Sequence, residues 1–211
     1  MNPVKLLSLL ALVFVTGCGP VVTFHEPMPP NEKDLDVIPM KFRGNYVNDD
    51  GSVFLHIDKS QISREYDYDV HIHRDSMTYW DSLVGDTLWD RFNHSSRLVS
   101  VDSIGYVSYH VNERELMFAV NPAHVARKFK GYLFLNTAFG ESGWTVEQVK
   151  LRKGILTINE ISSMEQVDAL NECVGDNSDT IASSYSPTKK QFREFVKQDG
   201  FGNGEEYYRI R

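Results

Sequence analysis

The chain has 211 residues, of which 41% are hydrophobic, 24% charged and 12% aromatic. That composition excludes disordered, collagen-like and disulfide-stapled classes and fits one globular domain with a sizeable core. Lys and Arg number 22 against 29 Asp and Glu, a formal net charge of −7 with no basic tract, so a nucleic-acid partner lacks its electrostatic footprint.

Residues 1–5 carry one positive charge, and residues 6–15 are apolar except for Ser8. An apolar run of about ten residues is too short for a hydrocarbon core that needs about twenty. With a charged start and small residues behind it, the run reads as a secretory signal. It ends Val15-Thr16-Gly17-Cys18, which resembles the lipobox of bacterial lipoproteins. The resemblance implies a signal peptide over 1–17, with Val15, Thr16 and Gly17 recognised by the peptidase. Cys18 is then the lipidation site, carrying a diacylglycerol and a further acyl chain, and several chains make an anchor stable where one is marginal. In well-studied bacterial lipoproteins an Asp after the cysteine favours the inner membrane; Gly19 stands there instead, which implies the outer membrane. Five of the eight prolines fall within residues 20–39, predicting that 18–40 is an extended, solvated, Pro-rich tether.

From Phe42 the hydrophobic period becomes two. Asn48-Asp49-Asp50-Gly51 between Tyr46-Val47 and Val53-Phe54-Leu55 predicts a hairpin. Along Ile62 to Arg74, Ile62, Tyr66, Tyr68, Val70 and Ile72 share one parity, and Glu65, Asp67, Asp69, His71 and His73 the other, as in a strand with one wet face. Residues 79–93 fit a short helix or loose strands equally well. Further strands are predicted at 97–101, 104–111, 115–120, 131–136, 144–151 and 155–158, joined by short polar breaks that suit an antiparallel meander. Ser162-Ser163-Met164-Glu165 matches a capping box before a stripe of Met164, Val167, Leu170 and Val174. Ser186-Pro187 predicts a second helix start, Gly200 its left-handed end, and Glu206 to Ile210 a closing strand. The fold class is therefore α+β: an antiparallel β domain over 41–160, then a helical part over 161–211 packed on the sheet. A meander with C-terminal helices resembles the lipocalin-like β-barrel, with Gly44-Asn45-Tyr46 in place of that family's Gly-x-Trp, so a partly closed barrel is the alternative to an open sheet.

The chemistry-bearing residues are few. His71 and His73, at i and i+2 on a strand, project from one face and can share a divalent ion such as zinc, with Asp69 on that face and His56 in the preceding strand. His71-x-His73-x-Asp75 resembles the start of the metallo-β-lactamase motif, but Ser76 stands where that motif has its next histidine. Cys173 lies beside the helix stripe, where an inert thiol is expected. No nucleotide fingerprint, hydrolase elbow or metalloprotease helix occurs. No catalytic residue is assigned. The sequence favours a non-enzymatic envelope module that binds a small ligand or a protein of an envelope complex. The alternative is a divalent-metal-dependent envelope hydrolase using His71 and His73.

Overall fold

The computed structural model describes residues 22–141, 143–175, 184–202 and 204–210; the lipobox Val15 to Cys18 lies outside the described residues. In chain order the strands are β1 (Asp34–Leu35), β2 (Gly44–Val47), β3 (Val53–Ile57), β4 (Gln61–His73), β5 (Asp81–Val84), β6 (Thr87–Asp90), β7 (Ser95–Leu98), β8 (Ser100–Val101) and β9 (Tyr106–Ala119). They continue with β10 (His124–Phe129), β11 (Tyr132–Ala138), β12 (Trp144–Arg152) and β13 (Ile155–Asn159). Helices α1 (Met164–Val174) and α2 (Lys189–Lys197) follow, and β14 (Glu205–Arg209) closes the chain. The large antiparallel sheet is ordered β1-β10-β11-β12-β13-β14-β2-β3-β4-β9-β8, and β5-β6-β7 form a small separate sheet. The α+β class with a predominantly antiparallel sheet is thus the observed one.

Local chemistry explains the elements. In the β2–β3 hairpin Gly51 takes φ 79°, and Asn48 Oδ1 accepts from the N–H groups of Ser52 and Val53, both at 3.0 Å. The stretches 104–111 and 115–120, predicted as two strands, are one continuous β9. The polar break between them is paired across β4, with Arg114 donating to Ser63 Oγ at 2.9 and 2.7 Å. Strand β10 escaped prediction because both its faces are covered: Ala126 enters one core, Phe129 the other, and Arg127 pairs with Asp34 at 2.7 Å. Residues 79–93, ambiguous in sequence, are strand and turn.

One face of the large sheet carries a first core, made of Ile38, Phe42, Tyr46, Leu55, Ile57, Ile62, Phe118, Leu133, Leu135, Val149, Leu156 and Tyr207 among others. Alternate residues of the same strands, Phe129, Phe134 and Val146, face outward into a second core beneath the helices, with Val167, Leu170, Phe192, Phe195 and Phe201. Both helix starts are capping boxes set slightly later than the sequence pattern indicated. Ser163 pairs with Gln166, not Ser162 with Glu165, and Thr188 pairs with Gln191, not Ser186. At the end of α2 the left-handed residue is Asp199 (φ 59°), and Gly200 is the next one, its N–H bonded to Phe195 O at 3.0 Å. Gly200 is needed for space: a Cβ there would stand 2.2 Å from the Phe195 ring.

The solvated tether expected over 18–40 gives way to a packed strap from residue 22. Val22, Phe24, Met28 and Ile38 are buried, because this stretch places apolar side chains between its prolines and supplies its backbone with partners. Phe24 and Trp144 exchange N–H···O bonds of 2.8 Å, and Asn136 clamps Met28. The second departure is an arm. Beyond Tyr66, β4 runs on with β9 alone, from Asp67↔Asn112 to His73↔Tyr106. The small sheet packs on this ribbon through Leu88, Val99 and Val107.

Candidate functional site

The antiparallel register places the start of β12, the end of β13, the start of β14, the β2–β3 hairpin and the root of the arm along one edge of the sheet. At that edge the inward-facing alternation passes from apolar to charged. Ile62 on β4 is followed by Arg64 and Tyr66, Val149 on β12 is preceded by Glu147, and Tyr207 on β14 by Glu205. Strands β14 and β2 share only the pairs Tyr208↔Val47 and Arg209↔Tyr46, so the first half of β14 stands clear of the hairpin. The result is two clefts that share Arg64 and Glu205. One of 560 Å³ is lined by Asp49, Asp50, Tyr66 and Glu206, and one of 530 Å³ by Met117, Glu147, Glu160 and Ser162.

Arg64 organises the edge. Its Nη2 donates to Glu205 Oε2 at 2.7 Å and its Nη1 to the Tyr66 hydroxyl at 3.4 Å, with Glu115 Oε1 3.8 Å away. Tyr66 in turn donates to Glu115 at 3.0 Å, and Tyr207 to Glu205 at 2.5 Å. Burial opposes the Arg64 charge, but the bond to Tyr66 and the charges of Tyr207 and Glu205 hold its pKa above the ordinary value. Burial, with Glu205 as acceptor, pushes the Tyr207 phenol up as well. Glu147 is raised by burial first and by the neighbouring Glu160 second. Carboxylates thus outnumber the single guanidinium in both clefts, an arrangement that favours a cationic guest.

A pH dependence follows for Glu147. Its folded pKa lies above the ordinary carboxylate value, so the folded chain binds the proton more tightly than the unfolded one. Stability is therefore expected to rise as pH falls through the folded pKa towards about 4.5, the unfolded reference. Glu147→Gln should raise the urea midpoint at pH 7 and remove that segment of the midpoint-against-pH curve. A variant that leaves the curve unchanged would show that Glu147 is solvated.

The histidine face is assembled differently from the sequence expectation. His56 lies opposite Ser63, eight residues before His71 on β4, or about 26 Å at 3.3 Å per residue. It is held by Asn45 and Glu65, each at 3.0 Å, and so is not a fourth member of a His71–His73–Asp69 set. His71 stacks on Tyr106 with ring centroids 4.6 Å apart, its Nδ1 2.8 Å from Ser108 Oγ. His73 meets the same ring edge-on, with Nε2 3.1 Å from Ile104 O. Asp69 and Asp67 turn to His110 instead, at 3.0 and 3.3 Å. His110 went unrecognised, although Tyr106, Ser108, His110 and Asn112 share one parity in the sequence. Among the described residues no group of three or more His, Cys, Asp or Glu side chains is arranged to hold a metal ion.

No protein-family model, curated protein or solved structure matches the chain. Cys173 is half-buried, with its thiol pushed up by burial and by Glu172 and Glu194, the opposite of an activated nucleophile. Among the described residues no helix is long and apolar enough to cross a membrane.

Proposed function

We propose that this protein is an outer-membrane lipoprotein of a bacterial envelope, held by Cys18, that acts as a non-enzymatic binding module. The anchor rests on Val15-Thr16-Gly17-Cys18. The binding role rests on one observation, the surplus of carboxylates over the single Arg64 in two clefts at one edge of the sheet. In this reading the sheet is a partly closed, lipocalin-like barrel. Its interior is packed with Tyr46, Leu55, Phe118 and Tyr207, so the guest is taken at the rim rather than inside. Tyr66, Tyr207 and Tyr208 add aromatic faces to the acidic cleft, which suits an ammonium or guanidinium group.

Calorimetric titration with cadaverine, a diamine without other functional groups, tests this. A saturable heat is expected, weakening with added salt. Glu205→Gln should cost about ten-fold in affinity, the scale of one charge-assisted hydrogen bond. A titration without saturable heat would refute the cleft as a cation site.

A further inference from the structure

The small sheet turns Leu83 and Leu88 toward the arm and its other face to solvent. Its register aligns Ser82, Trp89 and Ser96 in one row and Val84, Thr87 and Leu98 in the next, so Trp89, Val84 and Leu98 share the outward face. Trp80, two residues before Ser82, extends that face, and Tyr79 and Phe92 lie against its ring at 5.5 and 5.8 Å. These groups are uncovered: Tyr79 is 83% exposed, Leu98 75% and Phe92 70%, and both tryptophans are about half exposed. An apolar patch of this kind on a soluble face marks a contact surface. Trp and Tyr are the side chains enriched at the water–lipid boundary, where an apolar ring and a polar tip are both satisfied.

Two features of the chain say what covers it. The arm leaves the sheet at the same edge where the strap enters beside Trp144, and it extends seven residues beyond Tyr66, about 23 Å. The strap is packed from Val22 onward, so the chain between Cys18 and the body spans at most about 14 Å. A lipid at Cys18 therefore holds this edge close to the bilayer, on the side toward which the arm projects. The small sheet and its turns carry Asp81, Asp86 and Asp90 against Arg91 and Arg97, and Arg97 is paired with Glu113 on the arm, so there is no cationic surplus to favour anionic over zwitterionic lipid.

We propose that the outward face of β5-β6-β7 is a second membrane contact, with Tyr79, Trp80, Trp89 and Phe92 seated in the headgroup layer of the bilayer that holds Cys18. This rests on the lipoprotein reading above and not on the cation clefts. The test uses the full chain purified from membranes with Trp144→Phe, so that of the three tryptophans only Trp80 and Trp89 emit. The protein is reconstituted in phosphatidylcholine vesicles with or without brominated acyl chains, and acylation is read by intact mass. Brominated lipid is expected to lower the emission about two-fold or more, and Val84→Asp/Leu98→Asp should abolish most of that quenching while the protein stays acylated and vesicle-bound. Acylated, vesicle-bound protein with unquenched emission would overturn the contact alone. Concentration-dependent self-association or a cross-linked protein at position 89 would then assign the face. A chain without acyl mass that fails to float with vesicles would overturn the anchor, and the contact with it.

Discussion

Phe134→Ala is expected to lower the unfolding free energy by about 3–5 kcal/mol, the range for emptying a fully enclosed aromatic site. Phe134 sits on the outward face of β11, fully buried, where the helical layer meets the sheet. Its ring centroid lies 5.3 Å from Phe192 and 5.8 Å from Phe201, so it touches both α2 and the segment that follows it. The surroundings cannot collapse to refill the space. Phe195 is confined by the Cα of Gly200 and packs at a tilt against Phe201, ring centroids 5.4 Å apart, and the sheet backbone is fixed by its ladders on both sides. Urea unfolding should show the loss as a shifted midpoint at constant slope. Phe139→Ala, at a half-exposed ring just past the same strand's far end, should stay within about 0.5 kcal/mol. Equal losses in the two variants would contradict the two-core architecture.

How much of this was legible in the sequence depends on how local the cause was. The β2–β3 hairpin was legible because Asp50-Gly51 settles the turn without help from the rest of the chain. Strand β4 was legible as a strand from the shared parity of Ile62, Tyr66, Tyr68, Val70 and Ile72, although its burial does not alternate strictly: Ile62 and Ser63 are both buried, and Tyr68 and Asp69 both exposed. Strand β10 was not, since burial on both faces erases alternation, and Arg127 reads as solvated until Asp34 and Pro29 O are seen to meet it. The strap failed for the complementary reason. Its prolines speak for extended backbone, which is correct, but extended backbone can be a tether or a packed crossing, and distant partners decide between them: Asn136, 108 residues away from Met28, together with Trp144 and Arg127. The candidate site divides the same way. His71 and His73 on one face follow from parity, whereas His56 and His110 exchange places because cross-strand register is a long-range property. Arg64 and Glu205, 141 residues apart, carried no signal until the sheet order β14-β2-β3-β4 set the two side chains within reach of each other.

Asn136→Ala should be nearly as costly as the loss of Phe134, and under the proposed Cys18 anchor its consequence reaches the membrane. Asn136 is fully buried on β11; its Nδ2 donates to Met28 O at 2.9 Å and Val125 O at 3.0 Å, and its Oδ1 accepts from the Met28 N–H at 2.5 Å. Alanine leaves an enclosed N–H and an enclosed carbonyl of the strap without partners, at roughly 1–3 kcal/mol each, so a loss of about 3–4 kcal/mol is expected. Asn136→Asp should not rescue it, because the carboxylate keeps the acceptor for Met28 N–H but supplies neither donor and brings an unpaired charge into the core. The damage should concentrate in the strap. Residues 22–30 are held by this clamp, by backbone bonds to Trp144 and Tyr185 and by Arg127, and with the clamp gone limited proteolysis is expected to cut the variant there before the sheet unfolds. A strap released to residue 30 adds eight residues, about 27 Å of reach, to the link between Cys18 and the body. On the proposed anchor and membrane contact, the arm would then no longer be held at the bilayer, and bromolipid quenching of Trp80 and Trp89 should fall although the protein remains acylated. An unchanged urea midpoint together with unchanged protease resistance would show that the strap is secured by other contacts. Lost quenching with an intact strap would place the cause in the arm itself.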